Sequence, residues 1–477
     1  MSRAQAIFWT LIVYKLVMVS IGVIANRMSA GGDDDYFVGG RRLGPLVAAL
    51  SASASSSSVW TLIGVTGYAY ANGLAAVWLL PACIGGFALN WFVLAPALRR
   101  AAHAQKAVTV TELLAGPPGS EGRRAVIVLA SLIVLASLLT YVAAQFQGAG
   151  KAFAATFDLS LTSALLLGAG IVVFYTLLGG FWAVSLTDTL QGLMMAFAAV
   201  VLPIAALWAA GIDAVLADLL GVSSLWAVGR AAEGAGPAAA VGLVLGLLGI
   251  GLGYPGQPHV VNRLMALRDE RALVVGRRIA MGWALVIYGG MVTLGWSARV
   301  LLPELANAED AFIAATDSLL PAVLAGIMIA ALLSAIMSTA DSQLLVAASS
   351  VAHDLLGLRG ERDSSDPRTL RRSRATVLAL SIGAVGVALL VDESIFSSVL
   401  FAWTAMGAAF GPLLLVTVLR RRPRAAWVLA AMGVGFAMSV IAHFISSPQG
   451  VLLERVAPFV VAFFLAWWGS RPRIAEN

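Results

Sequence analysis

The chain has 477 residues, of which 60% are hydrophobic and 12% are charged. Soluble domains carry about a quarter charged residues, so this composition and a mean hydropathy of +0.89 exclude a soluble globular protein of this length. The net charge of +6 does not indicate nucleic acid, because the basic residues are concentrated in short loops between apolar runs.

Long apolar runs recur from end to end and predict an all-α protein that crosses the membrane many times. The first run has no clear small-residue cleavage site, so we interpret it as a retained helix and not as a signal peptide. No loop is long enough for a separate soluble domain. We predict about 13 transmembrane helices in one membrane domain, over residues 6–26, 44–69, 76–98, 125–150, 161–179, 186–209, 237–257, 279–302, 321–352, 375–392, 396–419, 426–446 and 453–469.

The distribution of basic residues predicts the orientation of these helices. With the N-terminus outside and the C-terminus in the cytoplasm, most of the 31 Lys and Arg residues fall in cytoplasmic loops, as the positive-inside rule requires. Lys15 lies within the first run. The basic residues left on the outer side are Arg3, Lys151, Arg230, Arg299 and Arg455.

The second run contains the stretch LSASASSSSVW at residues 50–60, which is unusually polar for a membrane span. One interpretation is a closely packed helix interface, since small residues let two backbones approach. The other is a broken helix whose free carbonyls and hydroxyls coordinate a cation. Serine hydroxyls compete for backbone hydrogen bonds, which favours the break.

The sixth run begins with SLTDTLQG, which places Asp188 just inside the membrane. An acidic residue is favourable near the N-terminus of any helix, so a purely structural role is one alternative. The other is a functional carboxylate, because charges within spans are costly and mark ion pathways.

The seventh run contains five glycines and two prolines within GLLGIGLGYPGQP, residues 246–258. This stretch predicts a second broken helix or, alternatively, a simple kink. The two breaks lie five runs apart. Because five is odd, two repeats built around them would have opposite orientations, which is the pattern of inverted-repeat transporters.

The ninth run contains SAIMSTADSQ, residues 334–343. Hydroxyls, carbonyls and a carboxylate together suit a small hard cation, although the hydroxyls could instead bond to their own helix. Asp341 lies at the edge of the hydroxyl face and, by the predicted topology, at a depth similar to that of Asp188. The residues that share this face at helical spacing are Ala335, Ser338, Thr339 and Ser342.

With these motifs the chain resembles the sodium:solute symporter family, and within it the bacterial members that transport proline. The resemblance extends over most of the chain and implies a LeuT-type fold, with one extra helix before two inverted five-helix repeats. The motifs that carry it are DYFVGGRRLGPLVAALSA (35–52), YTLLGGFWAVSLTDTLQ (175–191), GYPGQPHVVNRLMA (253–266), IMSTADSQLLV (336–346) and FAWTAMGAAFGP (401–412).

In these terms the chain divides into an extra helix at 6–26, a first repeat at 44–209, a second repeat at 237–419 and two additional helices at 426–469. The resemblance also implies a multi-pass protein of the bacterial inner membrane that needs no oligomer. We expect sodium-coupled symport of a small organic solute, most simply proline or a related amino acid, by alternating access.

The resemblance implies three groups of site residues. The main sodium site matches Ala54 and Ser57 in the first break, with Ala335, Ser338 and Thr339. A second sodium or proton site matches Asp188, Ser338, Asp341 and Ser342. The substrate contacts match Trp60, Tyr141, Gln145, Ile250, Tyr254 and Pro258.

The chain departs from its proline-transporting relatives within these groups. Ser56 stands where they have an aspartate that matters for sodium coupling, whereas Asp341 stands where they have serine. We therefore hypothesise that the acidic cation ligand has moved from the second run to the ninth. Ile250 replaces a tryptophan and Gln145 replaces a glycine, and these differences leave the identity of the solute open.

Other functions remain as alternatives. Proton coupling, or symport of a carboxylate or vitamin, would suit the same residues. A sensor is less favoured, because no kinase module follows the last run. We expect no enzyme, since the histidines are scattered and the lone Cys83, interpreted as a core residue, has no partner.

Overall fold

The predicted apolar runs are helical in the computed structural model, which describes residues 2–26, 41–177, 181–222, 237–358, 367–391, 393–419, 421–445 and 450–472. The α-helices, numbered in chain order, are α1 Arg3–Asn26, α2 Pro45–Ser56, α3 Thr66–Asn72, α4 Leu79–Ala88, α5 Ala95–Gln105, α6 Val110–Ala115, α7 Arg123–Phe157, α8 Leu161–Thr176, α9 Phe181–Ala210, α10 Ile212–Val222, α11 Pro237–Leu248, α12 Pro258–Met265, α13 Glu270–Leu301, α14 Ala311–Leu319, α15 Ala322–Ser349, α16 Pro367–Leu390, α17 Ile395–Val418, α18 Ala425–His443, α19 Gly450–Arg455 and α20 Ala457–Trp468.

Other helical turns connect or extend these helices. They are π-helices at Trp60–Val65, Leu89–Leu94 and Ser350–Leu355, and 3-10 helices at Gly73–Trp78, Gly249–Gly256 and Ala308–Asp310. Two three-residue strands, β1 Arg421–Pro423 and β2 Ser470–Pro472, pair antiparallel. In the described part of the chain, nine helices are long and apolar enough to span a membrane, or ten with one bent pair. The count of about 13 stays a prediction.

Several helices extend beyond the predicted apolar runs. The run at 279–302 belongs to α13, which begins at Glu270 because Asp269 caps it by accepting a hydrogen bond from the backbone N–H of Ala272 at 2.7 Å. This bond and that from Arg268 hold the pKa of Asp269 below its usual range. Charged helix ends such as this one extend past the apolar core, which hydropathy alone does not detect.

The serine stretch of the second run is where the first broken helix changes direction. Helix α2 ends at Ser56, and Ser57 has the non-helical angles φ −116° and ψ 71°. Helical structure resumes with a π-helix from Trp60. Serines 53, 55, 56, 57 and 58 are all buried, so the break lies inside the protein and not in lipid.

The second break follows α11. A 3-10 helix at Gly249–Gly256 leads to a bend of 51° before α12. Close packing explains the glycines, because a Cβ at Gly256 would lie 2.5 Å from the Cα of Gly407 in α17. The two backbones could not approach this closely with larger residues.

Burial distinguishes central from peripheral helices. The membrane-spanning windows of α15 and α17 are 78% and 89% buried, whereas those of α1 and α16 are 28% buried. Helix α15 packs against α9, α2, α7 and α1. The predicted hydroxyl face therefore lies on a central helix, next to the first break.

Candidate functional site

The residues predicted for the main sodium site come together between the first break and α15. The Ser338 hydroxyl donates to the Ala54 carbonyl at 3.2 Å and to the Ala335 carbonyl at 3.3 Å. The Thr339 hydroxyl donates to the carbonyl of Ser55 at 3.1 Å. All of these residues are fully buried. The two hydroxyls thus connect α15 to the last turn of α2.

The fifth predicted residue, Ser57, is at the break itself. Its backbone N–H donates to Ala54 at 3.2 Å, and its hydroxyl is 3.2 Å from that of Tyr288 on α13. The set consists only of carbonyl and hydroxyl oxygens, the ligands that a hard monovalent cation accepts. These residues fit a sodium ion carried as a substrate. The Ser55 carbonyl belongs to the same group, although the sequence did not single it out.

The hydroxyl of Ser56, where the proline-transporting relatives have an aspartate, forms its hydrogen bond within α2 and not with α15 in the described structure. It donates to the Ser53 carbonyl of its own helix at 2.9 Å. No described side chain of the main set is a carboxylate, so a cation bound there would have no opposite charge in direct contact.

The residues predicted for the second cation site also lie near one another. The Asp188 Oδ2 atom accepts hydrogen bonds from Ser51 at 2.7 Å and Ser55 at 3.2 Å. Ser55 is in turn 2.9 Å from Ser342, the neighbour of Asp341. The Asp341 Oδ1 atom accepts a hydrogen bond from Thr176. Both carboxylates are fully buried.

Arg263 from α12 occupies the centre of this second group, and we did not predict its role. Its Nη2 atom lies 3.0 Å from Asp188 Oδ2 and 2.5 Å from the hydroxyl of Ser342, and its Nε atom donates to Ser51 at 2.9 Å. The side chain is 1% exposed. The sequence offered one indication of this role: Arg263 lies five residues after Pro258, within the helix that follows the second break.

One oxygen of each carboxylate is left without a hydrogen-bond partner among the described residues, Oδ1 of Asp188 and Oδ2 of Asp341. Buried carboxylate oxygens need a cation or donors, since burial removes their water. The arrangement therefore has the chemistry of a cation site with part of its charge supplied by an arginine.

Aromatic residues from several helices gather around the two breaks. Trp60 stacks on Phe396 of α17 with ring centroids 5.5 Å apart and meets the edge of Tyr288 at 6.4 Å. The Tyr141 hydroxyl donates to Ser58 at 3.4 Å. The Gln145 Oε1 atom accepts from the backbone N–H of Val59 at 3.2 Å, which gives a partner to an N–H freed by the break.

The second break contributes the rest of the predicted substrate contacts. Tyr254 is hydrogen-bonded to Tyr288 at 2.7 Å and packs edge-on against Trp403, with centroids 4.7 Å apart. The carbonyl of Ile250 accepts from the Trp403 indole at 3.1 Å. Pro258 is buried and begins α12. Trp403, Tyr288 and Phe396 were missed, because each lies far from the breaks in sequence.

A short segment before α14, the 3-10 helix Ala308–Asp310, packs against the helical turn that carries Trp60. The Glu309 carboxylate accepts from the backbone N–H of Phe396 at 2.9 Å and from the Lys151 ammonium at 2.6 Å. Glu309 is buried. Because Phe396 stacks on Trp60, these two bonds fix the position of the Phe396 ring against Trp60.

The chain segments that precede the first broken helix and follow the second are joined through their backbones. The Leu43 N–H donates to Ala266 at 3.3 Å, and the Arg268 N–H donates to Leu43 at 3.2 Å. Trp60, Tyr141 and Tyr254 are at most 4% exposed. The aromatic group around the two breaks is therefore buried in this structure.

Comparisons with known proteins agree with this arrangement. Residues 36–435 match the model of the sodium:solute symporter family. The sodium/proline symporter of Escherichia coli K12 is 34% identical over 441 residues, covering 91% of this chain and 86% of that protein. The osmoregulated proline transporter OpuE of Bacillus subtilis 168 is 34% identical over 443 residues, covering 90% and 87%.

Solved structures support the fold. A Na⁺-coupled sialic acid symporter, in a substrate-bound outward-open state, superposes with a TM-score of 0.78 over 98% of this chain and 99% of that chain, at 18% identity. Mhp1, a nucleobase-cation-symport-1 family transporter, superposes with a TM-score of 0.56 over 92% and 95%, at 15% identity. These neighbours have LeuT-type folds, so the predicted fold class is confirmed.

Proposed function

The chain belongs to the sodium:solute symporter family, and from this premise we propose that it imports proline, or a closely related amino acid, together with sodium. It is a multi-pass membrane transporter and not an enzyme. The observation that carries the proposal is the contact between Ser338 on α15 and the Ala54 carbonyl at the first break. A cation bound between these elements would connect a movable broken helix to the central helix.

We propose that sodium binds to the carbonyls of Ala54, Ser57 and Ala335 and to the hydroxyls of Ser338 and Thr339. The hydrogen bonds among these groups support the proposal, because they bring the hydroxyl and carbonyl oxygens close together. A bound sodium ion would take the place of the hydroxyl protons as the positive partner of the carbonyls. Sodium can shift the conformational equilibrium only if it binds one state more tightly. A site shared by α2 and α15 gives that difference, since it exists only while the two helices are together.

The proposed solute site consists of Trp60, Tyr141, Gln145, Ile250, Tyr254 and Pro258, with Trp403 and Tyr288 as additions from the structure. Aromatic faces suit a compact apolar body such as a pyrrolidine ring. The broken helices present free backbone groups, which suit a carboxylate and an ammonium. Gln145 and Ile250 differ from the proline-transporting relatives, so a related amino acid is the alternative solute.

Asp188, Asp341 and Ser342 form a second proposed cation group. Two buried carboxylates at this place require positive charge, and Arg263 supplies part of it. A proton shared between the carboxylates is the runner-up to a second sodium ion, because like charges at close range disfavour double ionisation.

The division into repeats and the orientation are also part of the proposal. We propose an extra helix at 6–26, repeats at 44–209 and 237–419, and two further helices at 426–469. The N-terminus would lie outside and the C-terminus in the cytoplasm of a bacterial inner membrane. Glu309 and Phe396 would then cover the outer side, and Arg263 the cytoplasmic side.

Uptake into proteoliposomes tests the function. Sodium, proton and potential gradients are imposed separately, and radiolabelled proline uptake is measured, with a panel of amino acids and small carboxylates as competitors. We expect an inward sodium gradient to drive uptake and a proton gradient alone to fail. Uptake driven only by protons would support the runner-up. If neither proline nor any solute of the panel, labelled in its turn, shows sodium-dependent uptake, symport is refuted and a transporter-like sensor becomes the better interpretation.

A further inference from the structure

Lys15 places a positive charge in the middle of α1, the extra helix. Helix α1 packs along α15 and α9, the two helices that carry Asp341 and Asp188. A lysine within a membrane span is costly unless it has a partner inside the protein. The side chain of Lys15 is partly buried and points into this interface, where its ammonium contacts the Met337 sulfur.

The surroundings of Lys15 lead directly to Asp341. The ammonium lies 5.4 Å from the ring centre of Tyr14 and 5.9 Å from that of Tyr175, both favourable cation–π distances. Met337 is one helical turn before Asp341, and Thr176, which donates to Asp341, directly follows Tyr175. Lys15 and Asp341 therefore both lie where α8 meets α15, with Met337 and Tyr175 beside the ammonium and Thr176 beside the carboxylate.

With all four ionisable groups charged, the formal charges in this region balance. Asp188 has Arg263 as a direct partner at 3.0 Å. Asp341 has only the hydroxyl of Thr176 as a hydrogen-bond donor among the described residues, and its Oδ2 atom has none. Two carboxylates, one guanidinium and one ammonium give a net charge of zero. An added sodium ion would leave an uncompensated positive charge in a medium of low dielectric constant.

We propose that Lys15 is a tethered cation that neutralises Asp341 and so takes the place of the second sodium ion at the second cation group, which leaves one sodium ion to accompany each solute. This inference rests on the proposed sodium-coupled symport. The inference gives the extra helix α1 a role in coupling, because its Lys15 ammonium supplies the positive charge that a bound ion would otherwise bring. The main site, which has no carboxylate ligand, is then the only place where the cycle adds a sodium ion.

Binding of ²²Na⁺ to the purified full-length protein tests the inference without any solute. We expect the wild type to bind about one sodium ion per chain and Lys15→Met to bind about two, because the variant leaves Asp341 without a counter-charge. Lys15→Arg keeps the charge and should bind one ion, as should the double variant Lys15→Met/Asp341→Asn. The matched control is Lys106→Met, the same substitution at an exposed lysine, which should not change the number bound.

Thermal unfolding of the same variants provides a second measurement that does not depend on sodium. Each single neutralisation leaves one charge uncompensated, so the double variant should melt at a higher temperature than the sum of the two single losses predicts. Two ions bound to the wild type, an unchanged count in Lys15→Met, or strictly additive losses would each overturn the pairing. A wild type that binds no sodium at all would instead refute the proposed symport, while a non-additive melting result would still identify the pair.

Discussion

The Nη2 atom of Arg263 lies 3.0 Å from the Oδ2 atom of Asp188, and neither side chain is more than 1% exposed. This ion pair joins α12, which follows the second break, to α9. Ser51 of α2 donates to Asp188 and accepts from Arg263, so the pair also holds the helix that precedes the first break. Both broken segments are thus fastened to one carboxylate, and opening this side of the site requires these bonds to separate.

Asp188→Asn should destabilise the protein strongly, because it leaves the buried guanidinium of Arg263 without an opposite charge. Loss of one partner of a buried pair costs about 3–5 kcal/mol. The double variant Asp188→Asn/Arg263→Gln removes both charges and should recover part of the loss. Thermal unfolding in detergent measures both. If the two single effects simply add, the residues are not coupled and the proposed closure is wrong.

Ser338→Ala and Thr339→Ala should each raise the sodium concentration that gives half-maximal uptake. Removal of one hydroxyl ligand of net strength about 1 kcal/mol corresponds to roughly a five- to tenfold increase. The control is Ser349→Ala on the same helix, whose hydroxyl bonds only to Val346 of its own helix in the described structure. An equal change in all three variants would show that the effect comes from helix stability and not from sodium binding.

Gln145→Leu should weaken solute binding, because it removes the acceptor of the Val59 N–H at the first break. An unsatisfied buried donor costs about 1–3 kcal/mol, which would distort the segment that carries Trp60. Gln147→Leu provides the comparison, since Gln147 lies on the same helix but donates to Ala388 and Val391. Binding of labelled proline would distinguish the two. Equal affinities in both variants would remove Gln145 from the proposed solute site.

Gly256→Ala should impair folding and transport, because the new methyl group would meet the Cα of Gly407 at 2.5 Å. Overpacking of this kind costs about 1–3 kcal/mol. The control is Gly282→Ala, where no atom lies within 4 Å of the added carbon. Melting temperature and initial uptake rate report the difference. A Gly256→Ala protein as stable and as active as the control would mean that α17 and the second break do not pack so closely.

Glu309→Ala should speed the release of bound solute to the outside, because it removes the acceptor that holds Phe396 over Trp60. Loss of the two hydrogen bonds that the Glu309 carboxylate accepts would weaken solute affinity by about tenfold. Asp310→Asn is a demanding control, since Asp310 is adjacent but makes no hydrogen bond to Phe396 or Lys151 in the described structure. Burial raises the pKa of Asp310, and the substitution also removes its charge. Dissociation rates that change equally in both variants would contradict a specific role for Glu309.

Local chemistry in the sequence determined much of this protein. Long apolar runs require helices, because lipid leaves no other partner for backbone groups. The serine stretch and the glycine- and proline-rich stretch predicted two breaks, and both are present at Ser57 and Gly249–Gly256. The spacing of Ala335, Ser338 and Thr339 predicted one hydroxyl face, and the structure buries it against α2. Each of these follows from residues close together in the chain.

Only the tertiary structure decided which distant residues share a site. Charge counting assigns Arg263 to a cytoplasmic loop, yet it is buried against Asp188, 75 positions earlier. Helix packing likewise brings together Lys15 and Met337, Glu309 and Phe396, and Trp403 and Ile250. The physical reason is that a helix fixes the relation between residues three or four apart, whereas contacts between helices depend on crossing positions that small residues such as Gly256 and Gly407 permit.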